Sequence, residues 1–302
     1  MRKVGICFHP QWPAAQALAQ EVKGALASRV SEVWVTAAWD EGAAERNLEG
    51  TELLICVGGD GTMLWAARLV ILQPTLLLGI NMGRLGFLAE LRAEEALAKL
   101  PGILEGGFRI EERTLLHGRF LEAPGAPVAP AAPAAEDRRY HALNDILVGR
   151  GVPGRAVHVE ASVDGKRLGH YRADAVIVAT ATGSTGYLLS AGGPVLHPEA
   201  HELVLMPVAP HLAIARALVL PSSVVIELRV TSDEKAILSV DGQVNRELAK
   251  GEGVSVFHSP HLARFLRLGS PFDYYAALSE RLGWLKAANA SETFPRPGEE
   301  NL

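Results

Sequence analysis

The run LLICV, Leu53 to Val57, is apolar at every position and stops at Gly58-Gly59-Asp60-Gly61. A strand with one face in water alternates apolar and polar residues. A strand apolar throughout has to be covered on both faces, as parallel strands flanked by helices are. The first third of the chain repeats that arrangement. VGICF (Val4 to Phe8), VSEVWVT (Val30 to Thr36) and TLLLGIN (Thr75 to Asn81) read as further strands. Between them, AAQALAQEVKGALAS (Ala14 to Ser28) puts Leu18, Val22, Ala25 and Leu26 on one helical face, and TMLWAARLVIL (Thr62 to Leu72) has the composition of a helix. The pattern predicts a doubly wound α/β layer with a mostly parallel sheet.

After about Glu105 the period changes from helical to two. FRIEERTLLHGRFLE, AVHVEASVDG and SVVIELRVTS alternate as half-buried antiparallel strands do, and Val157, Val159, Ala161 and Val163 share one face before an Asp164-Gly165 hairpin turn. FDYYAALSERLGWL (Phe272 to Leu285) returns to helical spacing and is expected to pack back on the first domain. The division predicted is therefore an α/β domain from residues 1–105 plus 266–302, and a mainly antiparallel β domain over 106–265. APGAPVAPAAPAA (Ala123 to Ala135) interrupts the second; its prolines deny it a sheet ladder, and it reads as a flexible hairpin loop.

Composition excludes several classes. With 48% hydrophobic and 21% charged residues the chain can build ordinary cores. A net charge of -5 argues against a non-specific nucleic-acid binder. Cys7 and Cys56, the only cysteines, each sit inside an apolar run and read as packed thiols rather than a disulfide or zinc ligands. The start, MRKVGICFHP, is a poor signal peptide, and no apolar run reaches bilayer length. The expectation is a reduced, cytoplasmic, soluble protein with no membrane or nucleic-acid partner.

A turn at the carboxyl end of a parallel strand opens onto the usual ligand crevice of such a sheet. If it leads into a helix, unpaired N–H groups and the positive end of the helix dipole face outward, and glycines let a phosphate approach. Gly58, Gly59, Gly61 and Thr62 are the candidate phosphate loop. A carboxylate in that place repels phosphate, so Asp60 needs a task of its own, as a general base or as a ligand for a metal that accompanies phosphates. The plainer reading also stands for the tetrapeptide alone, a tight turn in which Asp60 caps a helix beginning near Thr62. Neither a GxxxxGK[ST] loop nor a GxGxxG fingerprint is present.

A second glycine-rich segment follows a strand-like AVIVAT: Thr182-Gly183-Ser184-Thr185-Gly186-Tyr187, then Ser190 and Gly192-Gly193-Pro194. Hydroxyls, small residues and an aromatic ring suit a ligand with phosphates, riboses and a flat base, although Ser/Thr-rich turns are also common loop chemistry. Taken in order, GGDGTM, GINMGRLGFLAEL, LNDILVGRG, RADAVIVATATGSTGYLLSAGGPVLHP and LSVDGQ resemble the NAD kinases over nearly the whole chain, Val4 to about Leu285. GGDG alone is shared with diacylglycerol, sphingosine and phosphofructokinase-type kinases; the combination is far more specific.

The resemblance implies transfer of the terminal phosphoryl group of ATP, or of polyphosphate, to the 2′-hydroxyl of the adenosine ribose of NAD. It implies an α/β N-terminal domain, a β-sandwich-like C-terminal domain, Mg²⁺ on the donor phosphates with no protein ligand assigned, and a homodimer or homotetramer that completes the site across subunits. By residue it makes Asp60 the catalytic carboxylate that takes the 2′-hydroxyl proton as general base and sets Gly61 beside the dinucleotide. Asn144 and Asp145 would bind ribose hydroxyls and base; a carboxylate is well suited to accept from a diol. Arg155, Arg172 and Asp174 fall at substrate-contacting positions, partly from a neighbouring subunit, and an arginine fork suits a diphosphate. Thr185, Gly186, Tyr187, Leu188, Leu189 and Ser190 would wrap the dinucleotide, and Gln243 would add a contact.

Three departures from the family pattern stand out. Trp65 occupies a position that is commonly basic, TATGSTGY has Ala181 and Gly186 where the family has proline and alanine, and Arg216-Ala217 replaces Arg-Pro. His197 and His211 lie near the motifs but read as structural, Arg84 as a loop-stabilising or phosphate-facing charge, and the five tryptophans as core or interface. Two other functions compete: a GGDGT-type lipid kinase, for which no basic amphipathic helix or lipidation motif is present, and a non-catalytic dinucleotide-binding regulator, against which Asp60 argues because a carboxylate near phosphates weakens binding.

Overall fold

The structure is a computed structural model that describes residues 1–83, 86–125, 140–211, 216–269 and 273–282. Most of the Ala/Pro loop, and the chain beyond residue 282, lie outside the described residues. Four parallel strands form the first layer, β1 (Lys3–Phe8), β2 (Glu32–Ala37), β3 (Leu53–Gly58) and β4 (Leu76–Asn81), side by side in the order β4-β3-β1-β2. Helices α1 (Pro13–Leu26), α2 (Glu41–Leu48), α3 (Asp60–Leu69) and α4 (Ala93–Leu104) cover the two faces, with a short β5 (Leu91–Arg92) on the β4 edge. Strand pleating divides the apolar run of β3 between them. Leu53, Ile55 and Val57 join Val22, Leu100 and Ile103 under α1 and α4, whereas Leu54 and Cys56 join Met63, Trp65 and Leu48 under α2 and α3. Cys7 and Cys56 are free, buried and opposite each other in the ladder.

Helices α2 and α4 are absent from the reading of the sequence. The first is short and polar, started by Asp40, whose carboxylate accepts the Ala43 N–H at 3.0 Å. The second carries Pro101-Gly102, which normally punctuates a chain; it is begun by Glu95 accepting the Arg92 N–H at 2.9 Å and held by burying Ala96, Leu100 and Ile103.

The rest of the chain is largely β. Strands β6 (Arg109–Leu121), β7 (His141–Ala142), β9 (Val157–Val163), β10 (Lys166–Ala173), β14 (Ile226–Val230) and β17 (Gly253–Arg267) extend the parallel layer into one eleven-stranded sheet. A second sheet runs β13-β12-β11-β8-β15-β16, from β8 (Asp145–Arg150), β11 (Ala175–Ala179), β12 (Leu203–Val208), β13 (Leu218–Leu220), β15 (Ala236–Val240) and β16 (Val244–Leu248). The two sheets face each other across a core that includes Val159, Leu228 and Val256 on one side and Ile146, Val178 and Leu238 on the other. The hairpin between β9 and β10 is the expected one, with Asp164 and Gly165 both at positive φ, 49° and 72°. Helix α5 (Tyr187–Ser190) covers the outer face of the second sheet through Leu188, and α6 (Asp273–Leu282) touches the segment that follows, where the Tyr274 hydroxyl donates to Leu196 O at 3.2 Å.

Strand β17 is the joint. It pairs with β6 along nearly its whole length, with β14 over Gly253 to Val256, and in parallel with β4 at Arg264 and Phe265. Phe265 is 1% exposed, with the guanidinium groups of Arg113 and Arg267 each about 5 Å from its ring centre. Truncating it to alanine removes packing from the joint and a cation–π partner from two buried charges. Phe265→Ala is expected to lose about 3–5 kcal/mol in urea unfolding; a loss under about 1 kcal/mol would mean the joint collapses without penalty.

Candidate active site

Strand β3 delivers the Gly58–Gly61 turn to the carboxyl edge of the parallel layer, and α3 begins at Asp60 itself, with Gly59 at the cap position. Asp60 is thus inside the first turn and does not cap a helix starting at Thr62. Its carboxylate faces the 86–88 segment, where Oδ2 accepts the Phe87 N–H at 3.0 Å and Oδ1 the Leu88 N–H at 3.2 Å. A Cβ on Gly86 would overlap this carboxylate, so the close approach requires glycine there.

The 86–88 segment is held from behind. Arg267, in β17, donates to Leu88 O at 3.0 Å and to Glu90 at 3.1 Å, and its Nε donates to Glu111 at 3.1 Å. Glu111 also accepts from Arg113 at 2.6 and 2.8 Å, and Arg113 reaches the Thr182 hydroxyl at 3.4 Å. Burial opposes a charge on Glu111, but Arg113 and Arg267 together outweigh it and hold the carboxyl at about 2; burial, then repulsion from Arg267, lowers Arg113 to about 10. One buried ion-pair network thereby links the loop that grips Asp60 to the TGSTGY segment.

The second cluster forms around Asn144 and Asp145, at the entry to β8. The carboxylate of Asp241 accepts the N–H groups of Leu143, Asn144 and Asp145 at 2.8, 2.8 and 3.0 Å. Asp241 and Gly242 form the tight turn between β15 and β16 with φ 51° and 66°, a hairpin geometry that suits Asp-Gly. Thr180 donates to Leu143 O at 2.6 Å and accepts from Gly183 N at 3.0 Å, and a Cβ on Gly183 would overlap the Asn144 carbonyl. The TGSTGY segment therefore packs directly on the backbone of Asn144. Gln243 ties this cluster to the first by donating to Gly61 O at 2.8 Å; its buried Oε1 has no partner among the described residues.

The other sequence candidates separate by location. Thr185 donates to Thr182 O at 3.0 Å, Gly186 lies against the Asn144 amide, and Tyr187 is exposed beside them, as is Ser190. Leu189 is half-buried. Leu188 is fully buried under the second sheet, so its side chain anchors the segment instead of facing a ligand. Thr62 is buried, its hydroxyl without a hydrogen-bond partner among the described residues and packed where a Cβ on Gly58 would stand. Arg155 is exposed and paired with Glu234; Arg172 is exposed on edge strand β10, and Asp174 pairs with Arg150 at 3.0 Å. Among the described residues none of these three hydrogen-bonds to the Asp60 or Asn144 clusters. Trp65 is a core residue, 1% exposed. His197 stacks edge-on against Tyr274. Arg84 lies outside the described residues.

Sequence reasoning missed Asp241 and the Glu111–Arg113–Arg267 network. An Asp-Gly pair between two alternating runs marks the turn, and EER on an otherwise apolar strand marks buried charge, but neither pattern names its partners. Among the described residues no group of three or more His, Cys, Asp or Glu side chains could hold a metal ion.

The profile of the ATP-NAD kinase N-terminal domain matches residues 11–108 and that of the ATP-NAD kinase C-terminal domain matches residues 143–268. An NAD kinase of Dehalococcoides mccartyi is 35% identical over 281 residues, 93% of this chain and 96% of that one. An NAD kinase of Heliobacterium modesticaldum is 38% identical over 236 residues, 78% of this chain and 80% of that one. Among solved structures, yeast NADH kinase complexed with NADH is similar with a TM-score of 0.79 at 24% identity, covering 99% of this chain and 90% of that one, a likeness of fold. An NAD kinase from Archaeoglobus fulgidus in complex with ATP gives a TM-score of 0.70 at 28% identity, covering 89% and 95%.

The two buried carboxylates give the site a pH signature. Burial raises Asp241 to about 6, against the pull of three amides and Arg68; burial and the nearby Asp241 charge raise Asp145 to about 7. A carboxyl whose folded pKa exceeds its unfolded value of about 4 stabilises the fold below pH 4, and that stabilisation is lost as pH rises through 6 to 7. Asp145→Asn keeps the shape and removes the later titration. Its stability relative to the original protein is expected to improve between pH 4.5 and 8, by at most about 4 kcal/mol for a shift near three units. A pH-independent difference in denaturation midpoints would contradict the assignment.

Proposed function

Since this chain belongs to the NAD kinase family, we propose that it transfers the terminal phosphoryl group of ATP to the 2′-hydroxyl of NAD's adenosine ribose at the Asp60 turn. Asp60 acts as general base. The observation that carries this role is the pair of amides from Phe87 and Leu88, which aim a carboxylate that a solvated turn would leave to rotate. Each of its oxygens keeps a lone-pair direction for the ribose hydroxyl. The proton passes to the carboxylate, the 2′-oxygen bonds to the γ-phosphorus in line with the departing oxygen, and ADP leaves with the bond's electrons. Phosphoryl transfer asks mainly for such positioning and for charge stabilisation.

Asn144 and Asp145 hold ribose hydroxyls and base, and the 183–190 segment packs beside them around the pyrophosphate. Gln243 keeps the two clusters in register through Gly61. Mg²⁺ fits this donor set as an ion carried mostly by phosphate oxygens and water, because the loop supplies one carboxylate and no chelating group. Bound there, it neutralises charge on the donor phosphates. Arg155 and Arg172, exposed and outside the clusters, support a homodimer or homotetramer in which they serve a neighbouring copy's site. Two free, buried cysteines fit a cytoplasmic location, and no described helix is long and apolar enough to cross a membrane.

Purified protein incubated with NAD, ATP and Mg²⁺ is expected to form NADP. Asp60→Asn, which preserves the size of the side chain and one of its two acceptor oxygens, is expected to lower kcat by roughly 10²–10⁴, with NAD affinity by direct titration unchanged. Full turnover in a folded Asp60→Asn protein would remove Asp60 from the chemistry.

A further inference from the structure

Three aromatic side chains gather at the carboxyl edge of the parallel layer from loops distant in sequence. His9, just after β1, stacks on Trp12 with ring centres 4.4 Å apart and planes within 18°. Trp39, just after β2, meets His9 edge-on at 5.1 Å. Buried Trp65 stands behind Trp39 at 6.5 Å. The Gln11 N–H donates to His9 Nδ1 at 3.3 Å, which fixes the histidine ring. Core aromatics would be covered, yet Trp12 is 40% exposed and Trp39 42%. Trp39 also holds a backbone φ of 68°, a region that bulky residues seldom occupy.

The position of the cluster relative to the glycine turn says what it faces. The strand order β3-β1-β2 sets the loops after β1 and β2 beside the turn after β3. A Cβ built on Gly59 would lie 3.8 Å from the Trp12 ring, so the ring rests on the turn itself. Gly61, on the other side of Asp60, bonds to Gln243 and through it to the Asn144–Asp145 cluster. The turn thus divides two surfaces, a polar one toward the ribose-binding carboxylate and an aromatic one toward β1 and β2.

We propose that the His9–Trp12–Trp39 cluster is the seat of the donor nucleotide's adenine ring. The proposal rests on the reading of the chain as an ATP-consuming kinase and adds which face of the turn the donor occupies. A purine over exposed indoles gains stacking and excludes water, and base–aromatic stacking is worth enough to change affinity roughly five- to a hundredfold. The neutral indoles do for the base what a cation in place of Trp65 would do for a phosphate. A donor without a base, such as polyphosphate, gains nothing from this surface, so the cluster favours a nucleotide donor over polyphosphate.

Two variants and two readouts test this. In steady-state assays with Mg²⁺, Trp12→Ala and Trp39→Ala should each raise KM for ATP about tenfold, while KM for NAD stays within about twofold and Trp12→Phe restores most of the loss. Titrating a non-hydrolysable ATP analogue into the original protein without NAD should quench tryptophan fluorescence, and the apparent affinity should weaken in both alanine variants. Thermal unfolding checks that the variants fold. An ATP KM unchanged in both variants, or a KM for NAD that rises instead, overturns the proposal. If no NADP forms with any donor, the kinase reading fails, and the fluorescence titration still decides whether this surface binds a purine nucleotide.

Discussion

Two backbone amides, those of Phe87 and Leu88, decide where the Asp60 carboxylate points, and much of the molecule is arranged so that they stay in place. Leu88 is held through its carbonyl by Arg267, Arg267 by Glu90 and Glu111, and Glu111 by Arg113, which also meets Thr182. A buried charge network of this kind is poor evidence of stability, since removing charges from water is expensive. Its value here is geometric. It fixes a loop from the α/β half against a strand and a hydroxyl from the β half, so the two sides of one crevice share a single frame.

The Asn144 side is organised by the same physics with opposite sign. Asp241 is a buried anion satisfied almost wholly by main-chain N–H groups, and it shapes the 143–145 backbone in the way a helix cap shapes a helix start. Burial raises both carboxyls, and the nearby Asp241 charge adds to the rise of Asp145, so a second carboxyl in that place is unfavourable. A hydroxyl that donated to Asp145 would relieve part of this penalty.

Much of the architecture was legible in the residues. LLICV announced a doubly covered strand, the change to period two after Glu105 announced the antiparallel half, and Asp164-Gly165 announced its hairpin. The elements that escaped were those in which tertiary burial overrode local signals, above all α4 with its Pro101-Gly102. At the site, glycine and acid in GGDG marked the turn, but sequence alone left open whether Asp60 capped its own helix. Only the fold brings residue 60 beside residues 86–88. Asp241 and Arg267 were invisible for the same reason, since their partners lie about a hundred or more residues away and no spacing rule connects them. The tryptophans were read as core or interface because period and composition cannot reveal that Trp12 and Trp39 stay uncovered at the crevice.

The pairing of β17 with β4 on one flank and β6 on the other carries a mechanical corollary. Many enzymes that clasp two nucleotides swing a pair of lobes about a flexible linker. Here such a swing would have to unzip main-chain hydrogen bonds and pull Phe265 away from two guanidinium groups. The floor under the crevice behaves as one stiff plank.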